Sequence, residues 1–276
     1  GIKRLCHIYN DIISVENLLI SWREFLRGKK KRKDVAEFSL NFLDNILDLH
    51  QDLAEKTYRH GGYQAFKIND PKPRDIHKAS VRDRLVHHAI YRILYPYFDQ
   101  KFIFDSYSCR IGKGTHRAIK RLRDFARKIS RNNTRTIWIL KCDIRKFFAS
   151  IDHQILKNIL EKYIADENTL WLLAQVIDSF TSPQPSPYQG EGDENIGLPL
   201  GNLTSQLFVN IFMNEFDQFA KRNLKTRYYI RYADDFVILH ENKNYLENLI
   251  PEISESLGTW LKLSLNPNKV FIKTFS

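Results

Sequence analysis

The sequence has little cysteine, a single methionine and no long apolar run. Its three cysteines are Cys6, Cys109 and Cys142. An odd number of cysteines without a C-x-x-C spacing argues against both a disulfide framework and a cysteine-based zinc site. No apolar run approaches the roughly 18 residues that a membrane-spanning helix needs, and no signal peptide opens the chain. The sequence therefore predicts a protein without membrane segments, in a reduced, intracellular and cytoplasmic setting.

Positive charge is what the sequence has in excess. Its 43 Lys and Arg residues against 32 Asp and Glu leave a net charge of +11, and 43% of the 276 residues are hydrophobic, as in an ordinary globular protein. The basic run Lys29–Lys33 and the Arg- and Lys-rich stretch from Arg117 to Arg135 favour a nucleic-acid partner. A solvated basic surface is the alternative that charge alone leaves open.

Apolar periodicity predicts the first helices. Residues 11 to 28 and 38 to 53 carry apolar side chains at steps of three and four, and the same spacing returns in residues 81 to 94. Between them, the cluster Asn69–Pro73 breaks the pattern. The sequence thus predicts two amphipathic helices, a break and a third helix.

The second half of the chain mixes strand and helix signals. The apolar run Ile137–Leu140 leads to Asp143, and a helical repeat follows from Ile155 to Tyr163. Residues 181 to 197 are rich in Pro, Gly, Ser and acids, which is typical of an exposed loop. After that loop, Asn202 or Thr204 is expected to cap a long helix.

Two adjacent acids separate two β-prone runs near the end of the chain. Tyr228–Tyr232 and Phe236–Leu239 flank Asp234 and Asp235, a pattern that predicts a hairpin with two carboxylates at its tip. Like charges so close together need compensation, and Mg²⁺ prefers carboxylate and phosphate oxygens. Asp143, at the end of another strand, could supply a third carboxylate. Taken alone, Asp234 and Asp235 would more often form an ordinary polar turn, and Asp143 would more often be a loop-capping acid.

These acids lie within motifs that resemble those of reverse transcriptases. The segment RYADDF at 231–236 resembles the Tyr-x-Asp-Asp box of that family, and LKCDIRKFF at 140–148 resembles its first catalytic box. Further matches keep the family's order over about 200 residues: PKPRDI at 71–76, RDR at 82–84, DSYSCR with GKGTH at 105–116, GLPLGNLTSQ at 197–206 and LNPNK at 265–269.

The resemblance implies a fold and an activity. The expected class is α+β, with the fingers and palm of a right-hand polymerase, an antiparallel palm sheet packed on helices and a thumb largely absent from this chain. The expected domains are a helical extension at 1–60, fingers at 61–136 and a palm at 137–276 that contains a loop insertion at about 181–197. The implied activity is that of an RNA-directed DNA polymerase, a nucleotidyltransferase that makes cDNA on an RNA template from a DNA or RNA primer and dNTPs.

The resemblance also implies roles for individual residues. Asp143, Asp234 and Asp235 would be catalytic, and together with Ile144 would bind two Mg²⁺ ions, for which Mn²⁺ can substitute. The residues expected to bind the nucleotide are Lys72, Arg74, Phe148, Leu200 and Lys269, and those expected to bind template or primer are Arg82, Gly201, Ser205, Gln206 and Tyr232. Surface positions for the lysines and Arg74, and a core position for Phe148 where the family has a steric gate against ribonucleotides, are the alternatives.

Two departures from the general family pattern indicate a subgroup. Leu200 stands where most of the family has Gln, and Gln206 where it has Pro. Both choices, and the GKGTH segment, resemble bacterial reverse transcriptases of diversity-generating retroelements. That subgroup implies frequent errors at template adenines, a structured template RNA and an accessory protein oligomer as partners. A group II intron-like maturase and a catalytically silent RNA-binding module of the same fold are the alternatives.

Overall fold

A computed structural model of the chain describes residues 1–183 and 195–275. The chain forms two compact units: unit 1 is Gly1–Gln100, His153–Ser182 and Gly197–Phe208, and unit 2 is Lys101–Asp152, Pro183–Ile196 and Val209–Ser276. Within the described ranges, no helix is long and apolar enough to cross a bilayer.

Helices and antiparallel strands are interspersed along the chain. In chain order they are α1 (Tyr9–Ile13), α2 (Val15–Phe25), α3 (Lys33–Leu40), α4 (Phe42–Glu55), β1 (Tyr63–Asn69), β2 (Pro73–Ala79), α5 (Val81–Asp99), α6 (Thr115–Ile129), β3 (Ile137–Asp143), α7 (His153–Tyr163), α8 (Glu167–Asp178), α9 (Leu203–Arg222), β4 (Tyr229–Tyr232), β5 (Asp235–His240), α10 (Lys243–Leu261) and β6 (Phe271–Phe275). The predicted α+β class with antiparallel sheets is confirmed.

The two helices predicted near the N-terminus are each divided. Ser14 has an extended backbone, and its side chain accepts a hydrogen bond from the Asn17 N–H, so that α2 starts anew after α1. Asn41 interrupts the second predicted helix between α3 and α4. Apolar spacing survives such a break, which is why periodicity alone predicted continuous helices.

A two-stranded hairpin belongs to unit 1. β1 and β2 pair from Tyr63 with Ala79 to Asn69 with Pro73. Most of its side chains are exposed. The sequence had predicted only the break at its turn, because a hairpin that buries little apolar surface lacks the alternation typical of a strand.

A four-stranded antiparallel sheet, in the order β4-β5-β3-β6, forms the centre of unit 2. α6 packs against β4 and β5, and α10 against β3, β5 and β6. Side chains alternate between the two faces of a strand, so Ile137 and Ile139 share a face with Asp143. Both isoleucines join the cluster that contains Phe125 of α6. The sheet thus carries an apolar patch under α6 and acids at one strand end of the same face.

Several predicted elements are confirmed by the structure. Strand β3, helix α7, the long helix α9 and the β4–β5 hairpin lie where the sequence predicted them. Helices α6, α8 and α10 and strand β6 were not predicted. Of the predicted loop at 181–197, residues 184–194 lie outside the described part of the chain.

Candidate active site

The backbone places three acidic residues at one end of the unit 2 sheet. Asp143 is the last residue of β3 and pairs in register with Asp235, the first residue of β5. Asp234 precedes it in the turn, after Ala233, which has a left-handed backbone with φ of 54°. Main-chain hydrogen bonds hold this end of the sheet together: the Ile144 N–H donates to the Asp234 carbonyl at 3.1 Å, and the Asn266 N–H donates to the Asp143 carbonyl at 2.8 Å.

Burial and neighbouring charge raise the pKa values of Asp143 and Asp234. Burial, a hydrogen bond with Asp235 and the charges of Asp234 and Asp235 raise the pKa of Asp143 to about 7. Burial first, and then the charge of Asp235, also raises the pKa of Asp234. Both shifts mean that the site disfavours three negative charges without positive compensation.

Nearby lysines provide part of that compensation. The Lys141 ammonium lies 3.4 Å from Oδ1 of Asp235, an oxygen that is buried and accepts no hydrogen bond. Lys269 ends a short 3₁₀ turn, Pro267–Lys269, and its charge partly offsets the raised pKa values of Asp143 and Asp234. The sequence predicted no role for Lys141, although it lies two residues before Asp143 and therefore on the same face of β3.

The donor set fits a hard divalent cation. Carboxylate oxygens that face one another, one of them without a hydrogen bond, are the ligands that Mg²⁺ takes, and Mg²⁺ needs only one or two carboxylates when water and phosphate complete its shell. Across residues 1–183 and 195–275, however, no three acidic, histidine or cysteine side chains converge as a ready-made metal cage. A hydrogen bond joins the carboxyl groups of Asp143 and Asp235.

Arg231 links the acidic hairpin to helix α9. Its side chain is 1% exposed and forms a paired hydrogen bond with Asp217 of α9, whose side chain is fully buried. The Tyr229 hydroxyl also donates to Asp217, at 2.6 Å, and Arg231 donates to the Ala233 carbonyl at 2.9 Å. The sequence analysis missed this anchor, although an arginine inside an apolar strand was a signal for it.

Two further predicted residues lie in unit 2. Phe147 is buried, whereas Phe148 is half-buried and meets the Phe147 ring edge-on at 5.7 Å. Tyr232 is 39% exposed, and its hydroxyl accepts a hydrogen bond from Thr115 at 3.1 Å. A partly open Phe148 ring is compatible with the predicted steric gate, which stays a prediction.

The remaining predicted residues lie in unit 1. Lys72 is exposed in the turn between β1 and β2, and Arg74 is exposed on β2. Arg82 forms an ion pair with Asp52 and stacks over the Tyr58 ring at 5.4 Å. Its predicted contact with the template would therefore compete with a partner inside the chain.

The segment before α9 lies against the β1–β2 hairpin. The Leu200 carbonyl accepts a hydrogen bond from the His77 N–H at 3.2 Å. Gly201 has φ of +95°, and a Cβ there would stand 2.9 Å from Cγ2 of Ile76, so only glycine fits without a shift. Ser205 is buried and Gln206 is half-buried.

A cavity of about 360 Å³ opens in unit 1 beside these residues. Its lining includes Gly201 and Gln206, together with cationic side chains and aromatic rings: Lys29, Arg32, Lys78, Arg84, Phe25 and Phe66. Three buried nitrogens on its lining residues have no hydrogen-bond partner, namely Nδ1 of His77, Nε of Arg84 and Nδ1 of His87. The sequence predicted the basic run at Lys29 but not this cavity, because the lining comes from five separate segments.

Comparison with known proteins gives one family match and several distant relatives. The family model described as reverse transcriptase (RNA-dependent DNA polymerase) matches residues 67–274. Protein YkfC of Escherichia coli K12 is 26% identical over 231 residues, which is 70% of this chain and 58% of that protein. The group II intron-encoded protein LtrA of Lactococcus lactis is 26% identical over 154 residues, which is 56% of this chain and 24% of that protein.

The putative COX1/OXI3 intron 2 protein of Saccharomyces cerevisiae is 19% identical, over 77% of this chain and 29% of that protein. Among solved structures, a chain of a partial Cas6-RT-Cas1–Cas2 complex matches with a TM-score of 0.52 at 19% identity, over 92% of this chain and 43% of that chain. The chain thus spans only part of each of these relatives.

Proposed function

The chain belongs to the reverse transcriptase family, with relatives of the group II intron type, and on that premise we propose that it is an RNA-directed DNA polymerase that makes cDNA on an RNA template. The observation that carries the proposal is the in-register pairing of Asp143 with Asp235, beside Asp234. Three acids at two strand ends, with the pKa values of Asp143 and Asp234 raised by burial and by neighbouring charge, are the pattern of a catalytic site rather than of a polar turn.

Asp143, Asp234, Asp235 and the main chain at Ile144 would hold two Mg²⁺ ions, with Mn²⁺ as a substitute. Such ions, when bound, stabilise both the attacking and the leaving oxygen of a phosphoryl transfer. The carboxylates fix the position of the reacting groups. Lys269, exposed at the end of its 3₁₀ turn, would carry the proton that the leaving pyrophosphate takes up.

Single-stranded template would occupy the unit 1 cavity. Proteins that bind single strands combine cations that follow the backbone with aromatic rings on which bases stack. Lys29 and Arg32 supply the cations, and Phe25 and Phe66 supply the rings. The unpartnered nitrogens of His77 and Arg84 offer polar groups to a nucleotide. Lys72 and Arg74, both exposed, would meet the triphosphate.

A diversity-generating role would follow from Leu200 and Gln206. The Leu200 carbonyl accepts a hydrogen bond from the His77 N–H, which holds the main chain at this position. Because the leucine side chain has no donor or acceptor, it would offer the nascent base pair only packing. A base pair held by shape alone loses less when it is mismatched, which favours errors. From the resemblance to the subgroup we expect these errors at template adenines, and we expect an accessory protein oligomer as a partner.

Intron splicing is the second candidate function. It is favoured by the names of the relatives, which include a group II intron-encoded protein and a nuclear intron maturase of Arabidopsis thaliana. An intron RNA that splices faster with the protein, and equally fast with the Asp143→Asn variant, would support this function. Splicing that does not respond to the protein would exclude it.

Primer extension on a defined RNA template tests the polymerase proposal. Asp143→Asn should lower the extension rate by about 10²- to 10³-fold, as is typical when one preorganised electrostatic group is lost. Asp234→Asn should do the same. Asp44→Asn, at an exposed position of α4, is the matched control and should leave the rate unchanged. Near wild-type extension by Asp143→Asn would show that the site is misassigned.

A further inference from the structure

The outer face of α6 is a line of cationic side chains. The inner face packs Ala118, Leu122, Phe125 and Ile129 on the sheet. The exposed side chains on the opposite face follow steps of three and four residues: His116, Lys120, Arg123 and Arg127. Together with Ile119 and Asp124 they line a shallow surface concavity of about 370 Å³. We refer to these four basic residues as the α6 stripe.

The charges of the α6 stripe are not used inside the protein. Arg121, on the flank of the helix, forms a hydrogen-bonded ion pair with Asp105, and Arg135 lies 3.8 Å from Glu241. By contrast, in the described part of the chain Lys120, Arg123 and Arg127 form no salt bridge with any acid. The only acid in α6 is Asp124. Lys120, Arg123 and Arg127 are three exposed cations with a single acid, Asp124, beside them, so this surface carries an excess of positive charge that favours an external anion.

The spacing of the stripe fits a polyanion. Neighbouring members lie about 5–6 Å apart at Cβ, and the line from His116 to Arg127 extends ~16 Å along the helix. A regular row of point charges matches the regular phosphates of a nucleic-acid backbone. Among the described residues that line the concavity, Ile119 is the one with an apolar side chain. A protein partner would need apolar or aromatic anchors that this face lacks, and a membrane would need the apolar face that α6 buries against the sheet.

The stripe contains no Phe, Tyr or Trp, unlike the unit 1 cavity, and His116 supplies its one ring. Single-stranded RNA is recognised largely by stacking of its bases on aromatic rings, so the stripe is a weaker fit for a single strand than that cavity. Double-stranded RNA is instead recognised by its shape and through phosphate and 2′-hydroxyl contacts. We propose that the outer face of α6 binds the phosphate backbone of an RNA stem, as a contact separate from the catalytic carboxylates.

The test is the salt dependence of binding to a blunt-ended RNA duplex, measured without dNTPs. The triple variant Lys120→Gln, Arg123→Gln, Arg127→Gln lowers the net charge from +11 to +8. Each lost phosphate contact lowers the slope of log K against log salt by about 0.9, so the slope should fall by about 2.7. Between about 50 and 200 mM salt, the variant should therefore lose about 40-fold less affinity than the wild type.

Three controls make the test specific. Lys3→Gln, Lys56→Gln, Lys225→Gln makes the same change in net charge at other exposed positions and should keep the wild-type slope. Lys120→Arg, Arg123→Lys, Arg127→Lys keeps the charge and should retain binding. Asp143→Asn should also keep the wild-type slope, so the stripe is tested independently of catalysis.

An unchanged slope in the Gln variant would overturn the proposal and direct attention to an acidic protein partner. Equal losses in the stripe variant and the charge-matched control would overturn it as well, because net charge alone would then explain binding. A loss confined to single-stranded RNA would refute the choice of an RNA stem.

Discussion

The buried ion pair of Arg231 and Asp217 offers a strong test of how the acidic hairpin is held. Both side chains are almost completely buried, and Asp217 accepts hydrogen bonds from Arg231 at 2.8, 2.9 and 3.0 Å. Removing one partner of such a pair leaves an unpaired buried charge, which typically costs about 3–5 kcal/mol. Asp217→Asn keeps the shape but removes the charge, so we expect the free energy of unfolding to fall by about that amount.

Urea denaturation followed by circular dichroism gives the measurement, and a double-mutant cycle separates the pair from its surroundings. Asp217→Leu with Arg231→Met replaces both charges by apolar groups of similar size, which is often nearly neutral for stability. The exposed pair Lys243–Glu247, with an N–O distance of 3.8 Å, is the control, and Glu247→Gln should cost about 0.3–0.5 kcal/mol.

Activity should not return with stability in the double variant. Arg231 also donates to the Ala233 carbonyl next to Asp234, and methionine cannot replace that bond. We therefore expect a stable double variant whose primer extension stays below that of the wild type. If Asp217→Asn costs no more than the exposed control, or if the double variant extends primers normally, then the pair does not position the hairpin.

Three further predictions concern nucleotide choice, fidelity and acid stability. Phe148→Ala should raise the incorporation of ribonucleotides relative to deoxynucleotides, because removal of the half-buried ring would leave room for a 2′-hydroxyl; an unchanged ratio in single-nucleotide extension would assign Phe148 to the core. Leu200→Gln should reduce errors opposite template adenine, as measured by sequencing cDNA copied from an RNA with all four bases; a wild type with uniformly low error at adenine would rule out the diversity-generating role. Burial, followed by the charges of Lys29 and Arg84, lowers the pKa of His88 from 6.5 to about 4. The unfolded chain therefore binds this proton first, and the stability contributed by neutral His88 is complete above pH 6.5 and is lost as the pH falls towards 4. The loss amounts to about 3 kcal/mol. His88→Gln should flatten the dependence of the urea midpoint on pH, and a profile that stays as steep in this variant would refute the assignment.

The strands that carry the acids could be predicted because their signals are local. Ile137–Leu140 is apolar and ends at a lysine and an acid, and two β-prone runs flank Asp234. The register that sets Asp143 opposite Asp235 depends on contacts distant in sequence, so no local pattern encodes it. The same holds for β6, which pairs with β3 across more than a hundred residues.

Helix α6 was not predicted because of its composition. Its inner residues Ala118, Leu122, Phe125 and Ile129 do follow helical spacing, but the basic residues between them dominate the segment and suggested only a charged stretch. The unit 1 cavity was beyond prediction for a different reason. Its cations and rings come from segments whose relative positions are set by tertiary packing, not by spacing along the chain.

The alternation of β3 has a consequence for how this strand can change. Leu140 and Cys142 are fully buried, whereas Lys141 and Asp143 alternate with them and meet Asp235. Inserting or deleting one residue between Ile137 and Asp143 would turn every later side chain to the opposite side, which would push the acid into the apolar layer and bring Cys142 to the reacting end. Inserting two residues would restore the orientation but carry the acid beyond its partner. Substitutions can therefore alter the composition of this strand, while its length has to stay the same.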